Sequence, residues 1–195
     1  GWVQVGSTWY YMNESGVMQA DTWIGDNYVG GSGAWIPGKV KTQAGWVKSG
    51  NRWWYRHADG SYTRNNWEMI NGSWYYFDGA GWMVTGWLKR PSGWYYLNAD
   101  GSMATGWAKV GNTWYYMNGS GAMQTGWLNR GGTWYYLTGS GAMATGWIQT
   151  GGTWYYMNTS GAMVTDTWIG NNYVDGSGAW IPGKVKAQAG WIQSG

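Results

Sequence analysis

The sequence holds no cysteine, one histidine, one phenylalanine and three prolines in 195 residues, and only 11% of it is charged. Each scarcity removes a class of function. Zinc needs clustered thiolates or imidazoles, and neither can be assembled here. The Asp-Gly pairs read as turns, without the ligand spacing of a calcium loop. No apolar run is long enough to cross a bilayer and no charged-then-apolar leader is present, so membrane insertion is not expected. The net charge is +3, with lysines and arginines scattered apart from two Gly-Lys-Val-Lys segments. The basic stripe that nucleic acid would want beside aromatics is missing. The lack of cysteine leaves the redox compartment open, since a repeat array outside the cell can do without disulfides.

Catalysis fares no better. The carboxylates Glu14, Asp21, Asp26, Asp59, Glu68, Asp78, Asp100, Asp166 and Asp175 fall mostly at turns and repeat ends. A glycosidase pair requires two of them across one bond, one with its pKa raised by burial, and nothing recurs in that manner. His57 occupies the loop position held elsewhere by Asn118, where it reads as a solvated side chain. No catalytic residue, metal or cofactor is expected.

What is abundant is Gly at 36, Trp at 21 and Tyr at 16. Helix formers are scarce and glycine sits at turns, so the chain reads as all-β. The organising stretch is residues 106–125, GWAKVGNTWYYMNGSGAMQT, of which nearly everything else is a copy or a worn copy. Its Gly-Trp opening recurs at Trp87, Trp107, Trp127 and Trp147, and its Trp-Tyr-Tyr at Trp94, Trp114, Trp134 and Trp154, both in steps of 20 residues. A fixed period of this size marks a repeat array.

A two-residue primed turn at Gly111-Asn112 pairs Val110 with Thr113, Lys109 with Trp114, Ala108 with Tyr115 and Trp107 with Tyr116. Side chains alternate along a strand and paired residues share a face. Trp107, Trp114 and Tyr116 therefore lie on one side, and Ala108, Tyr115 and Met117 on the other. An isolated hairpin is marginal in water, and one with two aromatic faces must stack on its neighbours.

Taken in order, residues 1–195 form a single array of nine hairpin units and a partial tenth beginning at Trp191. Two units are shortened, residues 22–44 and 166–189. From Trp23 to Tyr28 the separation is 5, against 9 from Trp107 to Tyr116, so two residues are lost from each strand. An even loss preserves the face of every remaining side chain. What disappears is the pair equivalent to Lys109 and Trp114, while Tyr28 stands for Tyr116 and Trp35 for Met123. Pro37-Gly38-Lys39-Val40-Lys41 then extends the link to the next unit. Residues 22–50 and 167–195 differ at only five positions, which points to internal duplication.

Core packing alone does not account for two Trp and two Tyr per regular unit, because Leu, Ile and Val would fill a solenoid axis. Aromatic walls at the junctions suit sugar rings or a quaternary ammonium. A trimethylammonium donates no hydrogen bond, so its cage needs no buried carboxylate. The poverty of charge fits that case.

The motif GWxxxGxTWYYMNxSGAMxTGW, present in full from Gly106 through Trp127, resembles the choline-binding repeat of streptococcal and phage cell-wall proteins, with the two shortened units as variants. The resemblance implies a left-handed β-solenoid of stacked β-hairpins with short connecting loops. It also implies choline bound between consecutive units, by the two Trp of one repeat and the second Tyr of the next, often with a Met nearby. On this chain the sites become Trp2, Trp9 and Tyr28; Trp46, Trp53 and Tyr76; Trp67, Trp74 and Tyr96; Trp87, Trp94 and Tyr116; Trp107, Trp114 and Tyr136; Trp127, Trp134 and Tyr156; and Trp147, Trp154 and Tyr173. The junction of Trp23 with Tyr55 lacks a hairpin Trp and is expected to be empty or weak.

The function so implied is non-catalytic binding of choline or phosphocholine on teichoic and lipoteichoic acid at the extracellular bacterial surface. There it would anchor an attached module, such as a cell-wall hydrolase, carried by a larger protein of which this chain is a fragment. Free solenoid ends invite a homodimer. The competing reading is a glucan- or glycan-binding array, and a rigid spacer is a third.

Overall fold

The computed structural model describes residues 1–187, so the tenth unit expected from Trp191 lies outside the described residues. Among these, every element of regular structure is a β-strand, and consecutive strands pair as antiparallel hairpins. The chain divides into two compact units, Gly1–Val84 and Thr85 onward.

The first unit contains four hairpins: Trp2–Val5 with Thr8–Tyr11, Thr22–Ile24 with Asn27–Val29, Gly45–Ser49 with Arg52–Arg56, and Asn66–Ile70 with Ser73–Phe77. The second contains Gly86–Arg90 with Gly93–Leu97, Gly106–Val110 with Thr113–Met117, Gly126–Arg130 with Thr133–Leu137, and Gly146–Thr150 with Thr153–Met157. A short hairpin of Thr167–Ile169 and Asn172–Val174 follows, joined by a third strand, Trp180–Ile181.

The registers are those the turn chemistry requires. Trp107 faces Tyr116, Ala108 faces Tyr115, Lys109 faces Trp114 and Val110 faces Thr113. Gly111 has φ +60°, the positive value a primed hairpin turn demands at its first position. Where the turn is Asn71-Gly72, both residues have positive φ, +49° and +84°. In the short hairpin Trp23 faces Tyr28 and Ile24 faces Asn27, so each strand has indeed lost two residues without changing faces.

After each regular hairpin the chain turns through a short loop centred on Asn or Asp, or on His57 and Thr138 in two of the repeats. Asn118 Oδ1 accepts the backbone N–H groups of Ser120 and Ala122 at 2.9 and 3.0 Å. The chain then returns beside the second strand, where Gln124 N–H donates to the Tyr116 carbonyl at 2.8 Å. Met123 also donates its N–H to the carbonyl of Trp94, one repeat earlier, at 2.8 Å. Met143 does the same to Trp114, Met163 to Trp134, Met83 to Trp53 and Trp35 to Trp9, each at 2.7 Å. At each of these five junctions one backbone bond ties a loop to the preceding hairpin, and within each unit the hairpins stack as a β-solenoid.

In seven of the repeats the core runs through the residue that follows the Tyr-Tyr or its equivalent. Phe77, Leu97, Met117, Leu137 and Met157 are fully buried, as are Val29 and Val174 in the short hairpins. Around Met117 pack Ala104, Ala108, Tyr115 and Met123 together with Trp87 from the repeat before. Removing such apolar area from water contributes roughly 25 cal/mol per Å², and no single hairpin could bury it alone.

Candidate functional site

Alternation along each strand decides what reaches a seam between repeats. The face carrying Trp107, Trp114 and Tyr116 looks toward the following repeat, which turns its opposite face, with Tyr135, back to meet it. Trp107 and Trp114 stand perpendicular, 6.4 Å apart at 88°. Tyr135 closes on Trp107 edge-to-face at 5.0 Å. These rings line a cavity of about 320 Å³ with Met143, Thr159 and Ser160. Met143 is held there by its backbone bond to Trp114.

The same constellation recurs within the second unit. Trp87 lies 6.3 Å from Trp94 at 90° and 4.7 Å from Tyr115. Trp127 lies 6.1 Å from Trp134 at 89° and 4.8 Å from Tyr155. In the first unit Trp46 meets Tyr75 at 4.8 Å and stacks on Phe77 at 6.0 Å.

Within the second unit Trp87, Trp94, Trp107, Trp114, Trp127 and Trp134 stand at the seams, and the ring that meets them from the next repeat is the first tyrosine, where the sequence expectation had the second. Tyr116, Tyr136 and Tyr156 pack edge-on against Trp107, Trp127 and Trp147 of their own hairpins, each at 5.2 Å. Tyr76 does the same with Trp67 at 5.2 Å, and Tyr96 with Trp87 at 5.2 Å. The second tyrosine shares a face with its own Gly-Trp indole and so cannot also front the preceding seam. The first tyrosine, one position earlier, can. Trp67 and Trp74 belong to the first unit and Tyr96 to the second.

Ahead of the shortened hairpins the seam changes composition. Trp2 and Trp9 line a cavity of about 350 Å³ with Asn27 and Trp35. Trp147 and Trp154 line one of about 410 Å³ with Asn172 and Trp180. Asn27 and Asn172 stand where regular repeats have the first tyrosine, and Trp35 and Trp180 where they have methionine. A third indole lines these cavities where Tyr28 and Tyr173 were expected, and those tyrosines pack on Trp23 and Trp168 at 5.1 and 5.2 Å. The signal was legible: aligning the short repeats on their Gly-Ser-Gly-Ala loop already made Trp35 the counterpart of Met123.

The hairpin indoles are accessible from solvent, with Trp114 40% exposed and Trp134 43%. The cavities at Trp2, Trp107 and Trp147 are lined by no charged side chain, whereas Glu68 Oε2, on the face that Tyr75 turns to Trp46, is buried without a hydrogen-bond partner. Lysines line their outer edge, with Lys89 Nζ 5.2 Å from the Trp94 ring and Lys109 Nζ 5.9 Å from that of Trp114.

The single histidine is not simply solvated. His57 Nε2 is 2.8 Å from Glu68 Oε1 in the next repeat, and its Nδ1 is 2.8 Å from Ser61 Oγ. Ser61 in turn donates its hydroxyl and its backbone N–H to Asp59, holding that carboxyl below the ordinary carboxylate value. Hydrogen bonds from Ser102 to Asp100 and from Ser177 to Asp175 have the same effect. The three aspartates order their own loops, whereas the bond of His57 with Glu68 joins a loop to a strand of the next repeat. No group of three or more His, Cys, Asp or Glu suited to a metal ion occurs among the described residues.

The pattern of the choline-binding repeat matches residues 63–105, 104–145 and 124–168, and that of a cell wall binding repeat matches residues 1–18. The solved structure of CbpJ from Streptococcus pneumoniae TIGR4 is 38% identical, with TM-score 0.67, over 93% of this chain and 57% of that one. Choline binding protein F from Streptococcus pneumoniae is 39% identical, with TM-score 0.67, over the same shares. The choline-binding domain of CbpL from Streptococcus pneumoniae is 34% identical, with TM-score 0.56, over 96% of this chain and 98% of that one. The chain thus spans little more than half the length of the first two and nearly the whole of the third. Among curated protein sequences nothing matches.

Proposed function

The chain belongs to the choline-binding repeat family, and from that premise we propose that its seams bind choline or phosphocholine and hold the protein on a bacterial cell wall. The observation that carries the proposal is the recurring perpendicular indole pair, Trp107 with Trp114 and its copies, completed by a ring from the next repeat, around a cavity at Trp107 that no charged side chain lines. A quaternary ammonium asks for this kind of site: ring faces attract its charge, and its methyl groups need no hydrogen-bond partner. CbpF has been solved in complex with ipratropium by soaking.

Each cation–π wall contributes about 0.5–2 kcal/mol depending on desolvation, so a three-walled seam reaches an affinity of about 1 mM, roughly 4 kcal/mol. Such a site holds a polymer only in company. Several seams engaging phosphocholine groups along one teichoic or lipoteichoic acid chain gain avidity through effective concentration, which gives the repetition its purpose. The ligand places the module outside the cell, at the wall. We read it as non-catalytic, anchoring whatever hydrolase or other module a longer protein carries beside it. Pairing of two copies through solenoid ends is part of the same proposal, and the mass in solution with and without choline tests it.

The test of function is titration with choline, followed by tryptophan fluorescence and calorimetry. Saturable binding near millimolar, thermal stabilisation and elution from an amine resin by free choline are expected. Indifference to choline combined with retention on a polysaccharide would replace this reading with glycan binding.

A further inference from the structure

Shortening leaves each short hairpin with an indole–phenol pair and no hairpin tryptophan beside it. Trp23 meets Tyr28 at 5.1 Å, and Trp168 meets Tyr173 at 5.2 Å. In regular repeats the corresponding face also carries Trp114 or a copy. Here a cation from the protein itself stands on the platform. Lys39 Nζ lies 3.3 Å from the centroid of the Tyr28 ring, and Lys41 Nζ lies 5.9 Å from that of Trp23. The arrangement is repeated in the second unit, with Lys184 Nζ 3.1 Å from the Tyr173 ring and Lys186 Nζ 6.0 Å from Trp168.

All four lysines come from the Pro-Gly-Lys-Val-Lys insertion that only the shortened repeats possess. Their spacing of two suits an extended segment that directs both side chains to one side. The removal of an aromatic wall and the close approach of an ammonium to the tyrosine face, at 3.3 and 3.1 Å, therefore occur together, twice; over Tyr116 of a regular hairpin the cation is Arg130, farther off at 5.3 Å.

We propose that Lys39 and Lys184 are built-in occupants of the short hairpins' aromatic platforms, each ammonium, with Lys41 or Lys186 beside it over the indole, covering the hairpin face that in regular repeats fronts the following seam. This rests on the choline reading of the regular seams. An alkylammonium and a trimethylammonium share the charge that the ring quadrupole attracts. The lysine is tethered eleven residues from its platform tyrosine, so its effective concentration is in the millimolar range or above, and a free ligand of millimolar affinity does not displace it. The short repeats then hold no external choline. Their cation fastens the insertion to the hairpin, and the array binds fewer cholines than it has hairpins.

The experiment counts choline sites by calorimetry on the 195-residue chain, on Lys39→Ala/Lys184→Ala, and on Lys39→Arg/Lys184→Arg. The alanine variant is expected to gain two sites over wild type, and the arginine variant, which retains a cation, to match wild type. An unchanged count in the alanine variant, with wild type still binding, overturns this inference and leaves the function standing. A wild-type chain that binds no choline overturns both. Proton NMR of the wild-type chain needs no substitution. The ε-methylene signals of Lys39 and Lys184 should lie upfield of those of exposed lysines through ring currents, and should stay there at saturating choline. Their absence from the upfield region, or their return downfield on adding choline, overturns the inference while choline binding at the regular seams is still registered.

Discussion

Tyr135 reaches across a seam to the indole of Trp107, 5.0 Å away and edge-on, while its chain neighbour Tyr136 is turned to Trp127 in its own hairpin at 5.2 Å. Two adjacent, chemically identical residues thus serve different junctions. Strand alternation sends one to the seam in front of its hairpin and the other to the seam behind.

The pair can be separated by substitution. Tyr135→Ala should weaken choline binding at the Trp107 seam by about 0.5–2 kcal/mol, the loss of one ring contact. Tyr136→Ala should leave that seam's affinity nearly unchanged while lowering stability by about 2–3 kcal/mol, below the cost of deleting a fully buried aromatic. Calorimetric titration and thermal melts of the two variants check this. Equal losses of affinity would return the second tyrosine to the preceding seam.

Trp114→Ala should remove a wall at little cost to the fold, because that indole is 40% exposed. A loss of about 1–2 kcal/mol at one site is expected. Retention on a choline-bearing polymer should fall by a larger factor than the binding of free choline, since avidity compounds the change. Column retention compared with solution titration gives the readout.

Gly141 lies where a loop crosses the methionine of the loop before. Its φ is +82°, and a Cβ there would fall 2.3 Å from Met123 Sδ. Gly141→Ala should destabilise the second unit by about 1–3 kcal/mol. Combined with Met123→Ala, the total should be less than the sum of the separate losses, because part of the cost is the shared contact. Denaturant midpoints of the single and double variants measure the coupling.

Acid should act through the loops. The hydroxyl and backbone N–H of Ser102 both donate to Asp100, which lowers its pKa from the ordinary 3.8. A depressed folded-state value contributes stability that is complete above the unfolded pKa and is lost as pH falls through the folded one. The contribution should therefore be present at neutral pH and disappear below about pH 4. Asp100→Asn should flatten that acid limb and leave the melting profile above pH 5 parallel to wild type. An acid limb unchanged in Asp100→Asn would assign it to other carboxylates.

The hairpins were legible because their information is local. A Gly-Asn, Asn-Gly or Gly-Gly pair at the tip sets the turn, the turn sets the register, and the register puts Trp107 opposite Tyr116. Even the loss of two residues per strand in the short units could be counted from Trp23 and Tyr28 alone. The hydrogen bond of His57 with Glu68 was not readable in this way, since those residues lie in different repeats and only stacking brings them together. The lysine caps escaped for a similar reason. The insertion could be seen, but nothing local says that an extended segment folds back over the ring of Tyr28.

The sequence by itself determined the repeating unit, the pairing within it, the two shortened copies and the indole pairs that carry the proposed chemistry, because period and alternation are properties of one strand and its turn. Only the tertiary structure decided which tyrosine closes each seam, that Trp35 and Trp180 supply the missing wall, and that lysines stand on the short platforms. Those outcomes depend on which face of one hairpin meets which face of the next, a relation set by packing between repeats rather than by any residue's position within its own.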